Sequence, residues 1–453
     1  MKRLKPVQVI LLGFLLTIMI GSVLLMLPVS SKSGQMTPYI DSLFTATTSV
    51  CVTGLVVETT MTHWSFFGQL VIAVLIQIGG LGVVTITAGM FFLLGKRISL
   101  SNRMLIQESM GLNTMSGLVV LVKKIFVGTF IVEGIGALLY ATQFIPEFGW
   151  RYGIWASIFN SISAFCNAGM DIVQLDSLRS YVTNPVINFT TMGLIVLGGL
   201  GFIVWKDMYH GLKDLIYRKC TVKRAWDKLR FHSKVAITAT LFLIIAGTVL
   251  IFIFEFNNPE TMKDLNVGQK LMASMFQSVT TRTAGFETIP QAGLSEGSSL
   301  ISMILMFIGG SPVGTAGGVK TVTFIILIYC VVTVAKQEDD ISLFRRKVSD
   351  VLVPKALAII MINLSVLLTA VLFLLLFDDQ TFMTTCYECV SALATVGLSK
   401  GMTPELNLFG KIIIIITMYL GRVGPISMAI GFSVGKKKKK KRSFSYPEEE
   451  LIL

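Results

Sequence analysis

The chain has 453 residues, of which 53% are hydrophobic and only 14% are charged, and its formal net charge is +13. Soluble domains have about 25% charged residues, so this composition excludes a string of soluble domains and predicts a polytopic membrane protein. The positive charge does not indicate nucleic-acid binding, because no nucleic-acid-binding motif accompanies it.

Eight apolar runs are long enough to cross the roughly 30 Å hydrocarbon core of a bilayer. In chain order they occupy residues 7–28, 66–94, 121–144, 186–205, 235–256, 299–335, 356–377 and 408–434. Taken in pairs, the runs enclose shorter stretches rich in Ser and Thr, at 40–53, 155–168, 270–284 and 383–396. These four stretches are too short to span, which predicts re-entrant pore helices that line a cavity.

The predicted fold is therefore that of an all-α polytopic membrane protein with eight spans and four re-entrant helices. These form four membrane–pore-loop–membrane repeats around one pseudo-fourfold pore. The repeats cover 1–94, 95–205, 206–335 and 336–435, followed by a basic tail at 436–453. With the first span starting inside, cytoplasmic segments hold 29 Lys and Arg and outer segments hold eight. This asymmetry predicts cytoplasmic termini and pore helices that enter from outside.

Four glycines recur at nearly constant spacing: Gly54, Gly169, Gly285 and Gly397 are 115, 116 and 112 residues apart. Each ends a short polar loop after a pore helix, whose partially negative C-terminal end would favour a cation. Glycine permits the φ values that turn carbonyl groups toward a pore axis. The fourth loop, 395–397, contains the Thr-Val-Gly of potassium-channel filters, so the selected ion is predicted to be potassium. The predicted filter comprises Cys51, Val52, Thr53, Gly54, Cys166, Asn167, Ala168, Gly169, Arg282, Thr283, Ala284, Gly285, Ala394, Thr395, Val396 and Gly397.

A second glycine cluster follows each filter loop, at 79–82, 198–201, 309–318 and 421–424. The first two clusters are interpreted as close helix packing. In the third, five glycines and a proline within ten residues predict a loop inside the membrane at 309–320, rather than a simple helix kink. In the fourth, Arg422 replaces glycine, and an arginine at membrane depth indicates function. The predicted gate comprises Gly309, Gly310, Ser311, Pro312, Gly314, Thr315, Gly317, Gly318, Lys320 and Arg422, with Arg422 hydrogen-bonded to loop carbonyls.

Roles are also predicted for charged residues near the loops. Glu58, Asp171 and Glu287 follow three of the filter glycines and either concentrate cations at an outer mouth or form a solvated rim. Arg282 must point away from the pore, with a buried acid such as Glu388 or Glu133 as its partner.

Enzymatic function is not expected, because the chain has no HExxH or GxSxG motif. The six cysteines, including the pair Cys386 and Cys389 in a CxxC, are interpreted as packing residues rather than redox or zinc ligands. The main functional alternative is an alternating-access carrier that binds a small cation or other solute at the midplane.

With its four loops, the glycine-rich break in the sixth span and the arginine in the eighth, the chain resembles the Trk/Ktr/HKT superfamily of potassium transporters, and within it the bacterial Ktr membrane subunits. The stretches that carry the resemblance include 282–286 (Arg-Thr-Ala-Gly-Phe) and 421–425 (Gly-Arg-Val-Gly-Pro). The resemblance implies potassium uptake, often sodium-stimulated, by a homodimer in the bacterial cell membrane. It also implies a cytoplasmic ring of nucleotide-binding regulatory subunits, with no cofactor in this chain and the nucleotide on the partner. The tail at 436–453 is interpreted as an anchor on anionic membrane lipid, with a docking site as the alternative.

Overall fold

The computed structural model describes residues 6–82, 85–86, 88, 100–109, 117–217, 221–338, 340–344, 346–349 and 351–424. The predicted tail at 436–453, the end of the last predicted span and most of 83–99 lie outside these residues. The helices of the described chain are α1 (Pro6–Met26), α2 (Tyr39–Cys51), α3 (Thr60–His63), α4 (Phe66–Leu81), α5 (Leu100–Ser109), α6 (Leu118–Cys166), α7 (Pro185–Leu200), α8 (Phe202–Ile216), α9 (Val222–Lys228), α10 (Phe231–Glu255), α11 (Val267–Thr280), α12 (Glu296–Phe307), α13 (Thr321–Ala335), α14 (Leu352–Phe377), α15 (Phe382–Ala394) and α16 (Leu408–Val423).

The fold is predominantly helical, as predicted. Short 3₁₀ turns lie at Pro28–Ser30, Arg179–Tyr181 and Thr403–Glu405. The two strands described, β1 (Ser342–Leu343) and β2 (Arg346–Lys347), form one small antiparallel hairpin in which Ser342 pairs with Lys347. This hairpin joins α13 to α14 and does not contribute to the interior.

One order of elements occurs four times along the chain. A long helix leads to a short helix, an extended loop follows, and a further helix completes the unit. The short helices are α2, the part of α6 after Gly149, α11 and α15. In α6 the turn between the long and the short part is made at Gly149, whose φ of 77° no helix accommodates.

The short helices form the buried centre although they are rich in Ser and Thr. Their hydroxyl groups bond back to carbonyls of the same helix, as when Ser49 Oγ donates to Thr45 O (2.6 Å) and Ser274 Oγ donates to Lys270 O (2.8 Å). Back-bonding satisfies the hydroxyl groups without water. The polar composition is therefore compatible with burial at the centre of the bundle.

The longest helices surround this centre and expose apolar side chains. Of the helices described, α1, α10 and α14 are each long and apolar enough to cross a membrane. The pair α7 and α8 would make a fourth span with a 106° bend, and α4, α12 and α13 are shorter apolar helices. Exposed Leu16, Phe242 and Leu372 on the three long helices indicate a lipid-facing surface. The full set of eight spans stays a prediction.

Two predicted segments are interrupted in the structure. The run at 186–205 is not one helix, because Gly201 has a φ of 90° and separates α7 from α8. The predicted close packing is present at Gly198, where a Cβ would collide with Phe165 O of a short helix, but the break at Gly201 is an additional role that the interpretation missed. The run at 299–335 is broken at the predicted place, since residues 308–320 are non-helical between α12 and α13.

Candidate functional site

The four filter glycines lie next to one another around a single ring. A Cβ atom built on Gly54 would lie 3.2 Å from the Cα atoms of both Gly169 and Gly397. One built on Gly285 would lie 3.1 Å and 3.2 Å from the same two Cα atoms. Their φ angles range from 68° to 100°. Only glycine combines such φ angles with so close a backbone approach.

The carbonyl group that precedes each glycine faces the glycine of the neighbouring repeat. The pairs, in order around the ring, are Gly54 with Ala168 O, Gly169 with Ala284 O, Gly285 with Val396 O and Gly397 with Thr53 O. In the first two pairs the missing Cβ would fall 2.6 Å from the carbonyl oxygen. The fourth pair returns to the first repeat, so the carbonyls form a closed ring. Rings of backbone carbonyls can replace the hydration shell of a monovalent cation.

A second set of equivalent residues has an unusual backbone conformation. Val52, Asn167, Thr283 and Thr395, each two residues before its glycine, have φ between 53° and 69°. Left-handed conformation is rare for β-branched residues and costs of order 1–3 kcal/mol each. The same uncommon conformation at four equivalent places shows that the four loops share one backbone geometry.

Two hydroxyl groups hold the first and fourth loops in this conformation. The Gly54 N–H donates to Thr48 Oγ1 (2.9 Å), and the Gly397 N–H donates to Ser391 Oγ (3.0 Å). Sequence reasoning missed both hydroxyl residues. A signal was present, because a hydroxyl residue stands six positions before the glycine in three of the four repeats, with Ser163 as the third.

Side-chain oxygens lie just below the carbonyl ring. Within the part of the chain that the structure describes, Asn167 Oδ1 and Thr395 Oγ1 are buried without a hydrogen-bond partner. Asn167 Nδ2 lies 3.5 Å from Thr283 Oγ1. Unpaired buried oxygens are costly, so these two positions are exceptions to the usual pairing of buried polar groups.

A cavity of about 320 Å³ lies on the other side of the ring. Asp171 and Glu287, the acids predicted at an outer mouth, are among the residues that line it. Both acids lie in loops outside the helices, at 167–184 and 281–295. Burial raises the pKa of Asp171 to about 6 and that of Glu287 to about 7. Arg179 also lines the cavity and pairs with Glu287 (2.7 Å), which opposes the rise in pKa of the glutamate.

Two predictions about charged residues, the position of Glu58 and the partner of Arg282, need correction. Glu58 pairs with His63 (3.2 Å) rather than lining the cavity. Neither Glu133 nor Glu388 is the partner of Arg282, which donates from Nη1 to Thr240 O (3.1 Å). The arginine is held behind its loop by a backbone carbonyl, so the expected direction of the side chain is right and the expected partner is wrong.

The two acids have other partners. Glu133 accepts from Gln77 Nε2 (3.0 and 3.3 Å), and Glu388 accepts from Ser399 Oγ (2.8 Å) and from Thr403. Glu133 thus links α6 to α4, and Glu388 fixes the loop that follows its own helix. Among the described residues no group of three or more His, Cys, Asp or Glu side chains could bind a metal.

Below the ring, residues 308–320 form a loop that lies on the glycine cluster of the second repeat. The Ser311 N–H donates to Gly199 O (2.9 Å) and the Thr315 N–H donates to Gly198 O (3.1 Å). Thr315 Oγ1 donates to Phe165 O at the end of a short helix (3.1 Å). A Cβ on Gly317 would collide with Thr395 Oγ1 of the fourth filter loop. The loop therefore lies directly against the inner end of the carbonyl ring.

Two cations are associated with this loop. Lys320 Nζ donates to carbonyls of its own loop, Ala316 O (2.7 Å) and Gly317 O (3.3 Å). Arg422 donates from Nη1 to Thr315 O (2.5 Å) and from Nη2 to Gly79 O and to Gly80 O (3.3 Å). The predicted contact between Arg422 and a loop carbonyl is present, and the guanidinium also joins the glycine cluster of the first repeat.

This arrangement of four equivalent loops is that of a cation transport protein. The family model described as TrkH, cation transport protein, matches residues 6–443, and the chain belongs to this family. It is 38% identical to Ktr system potassium uptake protein B of Bacillus subtilis over 99% of the chain and 97% of that protein. It is 40% identical to potassium/sodium uptake protein NtpJ of Enterococcus hirae over 100% of the chain and 98% of that protein.

The fold is similar to the crystal structure of the potassium transporter TrkH from Vibrio parahaemolyticus. The TM-score is 0.73, with 15% sequence identity, over 93% of the chain and 85% of the transporter. The resemblance stated from the filter loops and from Arg422 is thereby confirmed at the level of the family. The protein is a multi-pass membrane protein of a family of cation transporters.

Proposed function

We propose that the chain is the potassium-conducting subunit of a potassium uptake system. Potassium enters the cavity lined by Asp171 and Glu287, loses its hydration shell in the carbonyl ring and leaves past the loop at 308–320. The observation that supports this best is the closed order of the ring, in which each glycine meets the carbonyl of the next repeat. A single-substrate pocket would not require four equivalent backbones with positive φ.

The loop at 308–320 and Arg422 would form the gate. The loop lies against the inner end of the ring, and the guanidinium holds one of its carbonyls from across the pathway. Opening requires that the loop leave the Gly198 and Gly199 carbonyls and the guanidinium. Sodium would stimulate uptake or enter at low selectivity, as the name of the Enterococcus hirae relative suggests.

The proposal includes partners and an orientation. The names of the Ktr relatives indicate a system with more than one component, and we infer a cytoplasmic nucleotide-binding ring that moves the loop. A homodimer is proposed, with both termini cytoplasmic and the short helices entering from outside. The distribution of Lys and Arg supports this orientation.

Substitution of the filter glycines tests the proposal. Gly54→Ser and Gly397→Ser place a side chain against a neighbouring backbone in the ring. The ratio of potassium to sodium uptake is expected to fall about tenfold or more, equivalent to ~1.4 kcal/mol. Competition between the two ions is measured in cells that lack their own potassium uptake and in liposomes with purified protein.

Gly34→Ser is the matched control. Gly34 has a φ of 69°, close to that of Gly169, but a Cβ there has no atom within 4 Å. It therefore reproduces the backbone strain without the contact in the ring, and selectivity is expected to stay unchanged. Unchanged selectivity in both Gly54→Ser and Gly397→Ser would contradict the ring as the selective element. Saturation at low potassium with strict one-for-one exchange would favour the alternating-access carrier.

A further inference from the structure

Helix α8 turns away from the direction of the helix before it. Gly201 (φ 90°) separates α7 from α8, and the two axes differ by 106°. The 16 residues of α7 extend about 24 Å at 1.5 Å per residue. The hydrocarbon core is about 30 Å thick. If α7 begins at one boundary, α8 therefore starts within a few ångströms of the other and runs roughly along it.

One face of α8 is apolar and exposed. Met208, Tyr209, Leu212 and Ile216 follow one another at intervals of one to four residues on the same side of the helix and are 40%, 62%, 58% and 69% exposed. Trp205 continues this row at the start of the helix. Its indole packs against Phe165 and donates from Nε1 to Leu197 O (2.8 Å). Since Leu197 lies in α7, the row faces back toward the apolar layer that α7 crosses.

The acidic residues of α8 lie on its other side. Asp207 accepts from Ser233 Oγ (2.6 Å) and lies 3.4 Å from Arg230 Nε, whereas Asp214 pairs with Lys228 (2.7 Å). Both aspartates are thus neutralised by the segment that follows α8. By helical position, Lys206 and Lys213 instead lie together along one edge of the apolar row. The segment 202–234 as a whole carries nine Lys and Arg against three Asp.

We propose that α8 is an interfacial helix that binds anionic lipid. Its apolar row enters the acyl-chain boundary, and Lys206 and Lys213 bind acidic phospholipid headgroups. An apolar face with lysines along one edge, on a helix parallel to the boundary, is the arrangement of amphipathic membrane-surface helices. Lysine ammonium groups near an anionic leaflet gain electrostatic attraction, which selects lipid as the occupant of this face.

Lipid at α8 would reach the loop at 308–320 through one hydrogen bond. The N–H of Phe202, the first residue of α8, donates to Val313 O of that loop (2.9 Å). This consequence rests on the proposed function, whereas lipid binding does not. Anionic lipid is expected to alter the rate of potassium uptake in liposomes without altering selectivity.

Amide hydrogen exchange of the full-length protein tests lipid binding directly. The protein is placed in nanodiscs of phosphatidylcholine alone or of phosphatidylcholine and phosphatidylglycerol at 7:3. Exchange in residues 208–216 is expected to slow by roughly fivefold with phosphatidylglycerol. The double variant Lys206→Gln and Lys213→Gln should abolish this difference, while exchange in α6 reports that the fold is intact.

The control variant is Lys336→Gln with Lys355→Gln, which removes the same charge from another segment on the same side of the chain and should retain the difference. Leu212→Asn with Ile216→Asn should speed exchange in both lipids. Equal exchange in both compositions, or an unchanged lipid effect in the Lys206 and Lys213 variant, would overturn the proposal. So would protection that appears only in discs with two copies of the chain, since a second copy would then cover the face.

Discussion

The outer and inner sides of the ring are built by the same four repeats, which contribute alike on the outer side and differently on the inner side. On the outer side, every repeat supplies a glycine with positive φ and a carbonyl to its neighbour. On the inner side, each repeat supplies a different part. The first gives the Gly79 and Gly80 carbonyls, the second gives a surface of glycine carbonyls, the third gives the loop and the fourth gives Arg422.

This difference separates two physical requirements. Coordination of a spherical monovalent ion needs similar carbonyl groups on all sides, which repetition provides. A two-state element needs contacts that are made in one arrangement and lost in another, and a set of four identical contacts has no single moving part. Because the repeats differ from one another below the ring, one of them can supply a moving element there while the ring keeps its geometry.

Among the variants that test the separation between the ring and the gate, Arg422→Gln is expected to have the largest effect on potassium uptake. The variant removes charge-assisted hydrogen bonds from the guanidinium to the first repeat and to Thr315 O, each worth about 1.5–3 kcal/mol. Release of the loop is expected to raise basal potassium uptake at least about tenfold and to leave potassium-over-sodium selectivity unchanged. Uptake is measured in liposomes without the regulatory partner.

Lys320→Gln is the matched comparison for Arg422→Gln. It also removes one positive charge beside the pathway, but Lys320 bonds only within its own loop in the contacts described. Its effect on basal uptake should be several times smaller. Equal effects would mean that charge near the ion, rather than the bridge between repeats, controls the flux.

The sequence predicted the backbone of the ring better than the contacts around it. A fixed spacing and a glycine at each repeat suffice to identify equivalent backbones, because positive φ and close approach leave few alternatives to glycine. The partner of Arg282 was not predictable, since any of many carbonyls satisfies a guanidinium and Thr240 O lies 42 residues away. The bend at Gly201 was misread because a glycine in an apolar run serves equally for helix packing and for a break.

Removal of the hydroxyl groups behind the loops should affect selectivity less than removal of the glycines. Thr48→Val and Ser391→Ala leave the Gly54 and Gly397 N–H groups without their acceptors, a loss of about 1 kcal/mol each. The expected result is a fall in potassium-over-sodium selectivity of about fivefold, with basal uptake unchanged.

Thr369→Val serves as the control for the hydroxyl variants, because its hydroxyl group bonds only along its own exposed helix, to Ser365 O. If loss of the hydroxyl groups raised basal uptake as Arg422→Gln does, the separation between ring and gate would fail. If selectivity falls in the Thr48 and Ser391 variants but not in Thr369→Val, the residues that determine selectivity include the ends of the short helices as well as the ring.

External pH should have the smallest effect, and it should act on the outer region alone. Because the pKa values of Asp171 and Glu287 are raised to about 6 and about 7, both carboxylates become neutral as pH falls from 8 to 5.5. Arg179 then loses its ion-pair partner Glu287, while Asp176 also lines the same cavity. The cavity thus becomes less attractive to cations. The half-saturating potassium concentration is expected to rise about two- to fivefold, the size of one screened charge interaction.

The variant Asp171→Asn with Glu287→Gln decides whether these two groups cause the pH effect. It should have the weaker potassium affinity at every pH and a flat profile between pH 8 and 5.5. The maximal rate at saturating potassium should not change with pH, because the loop and Arg422 lie on the opposite side of the ring from the titrating groups. A pH-dependent maximal rate that persists in the double variant would instead place a titrating group in the gate and join the two regions that the repeat pattern separates.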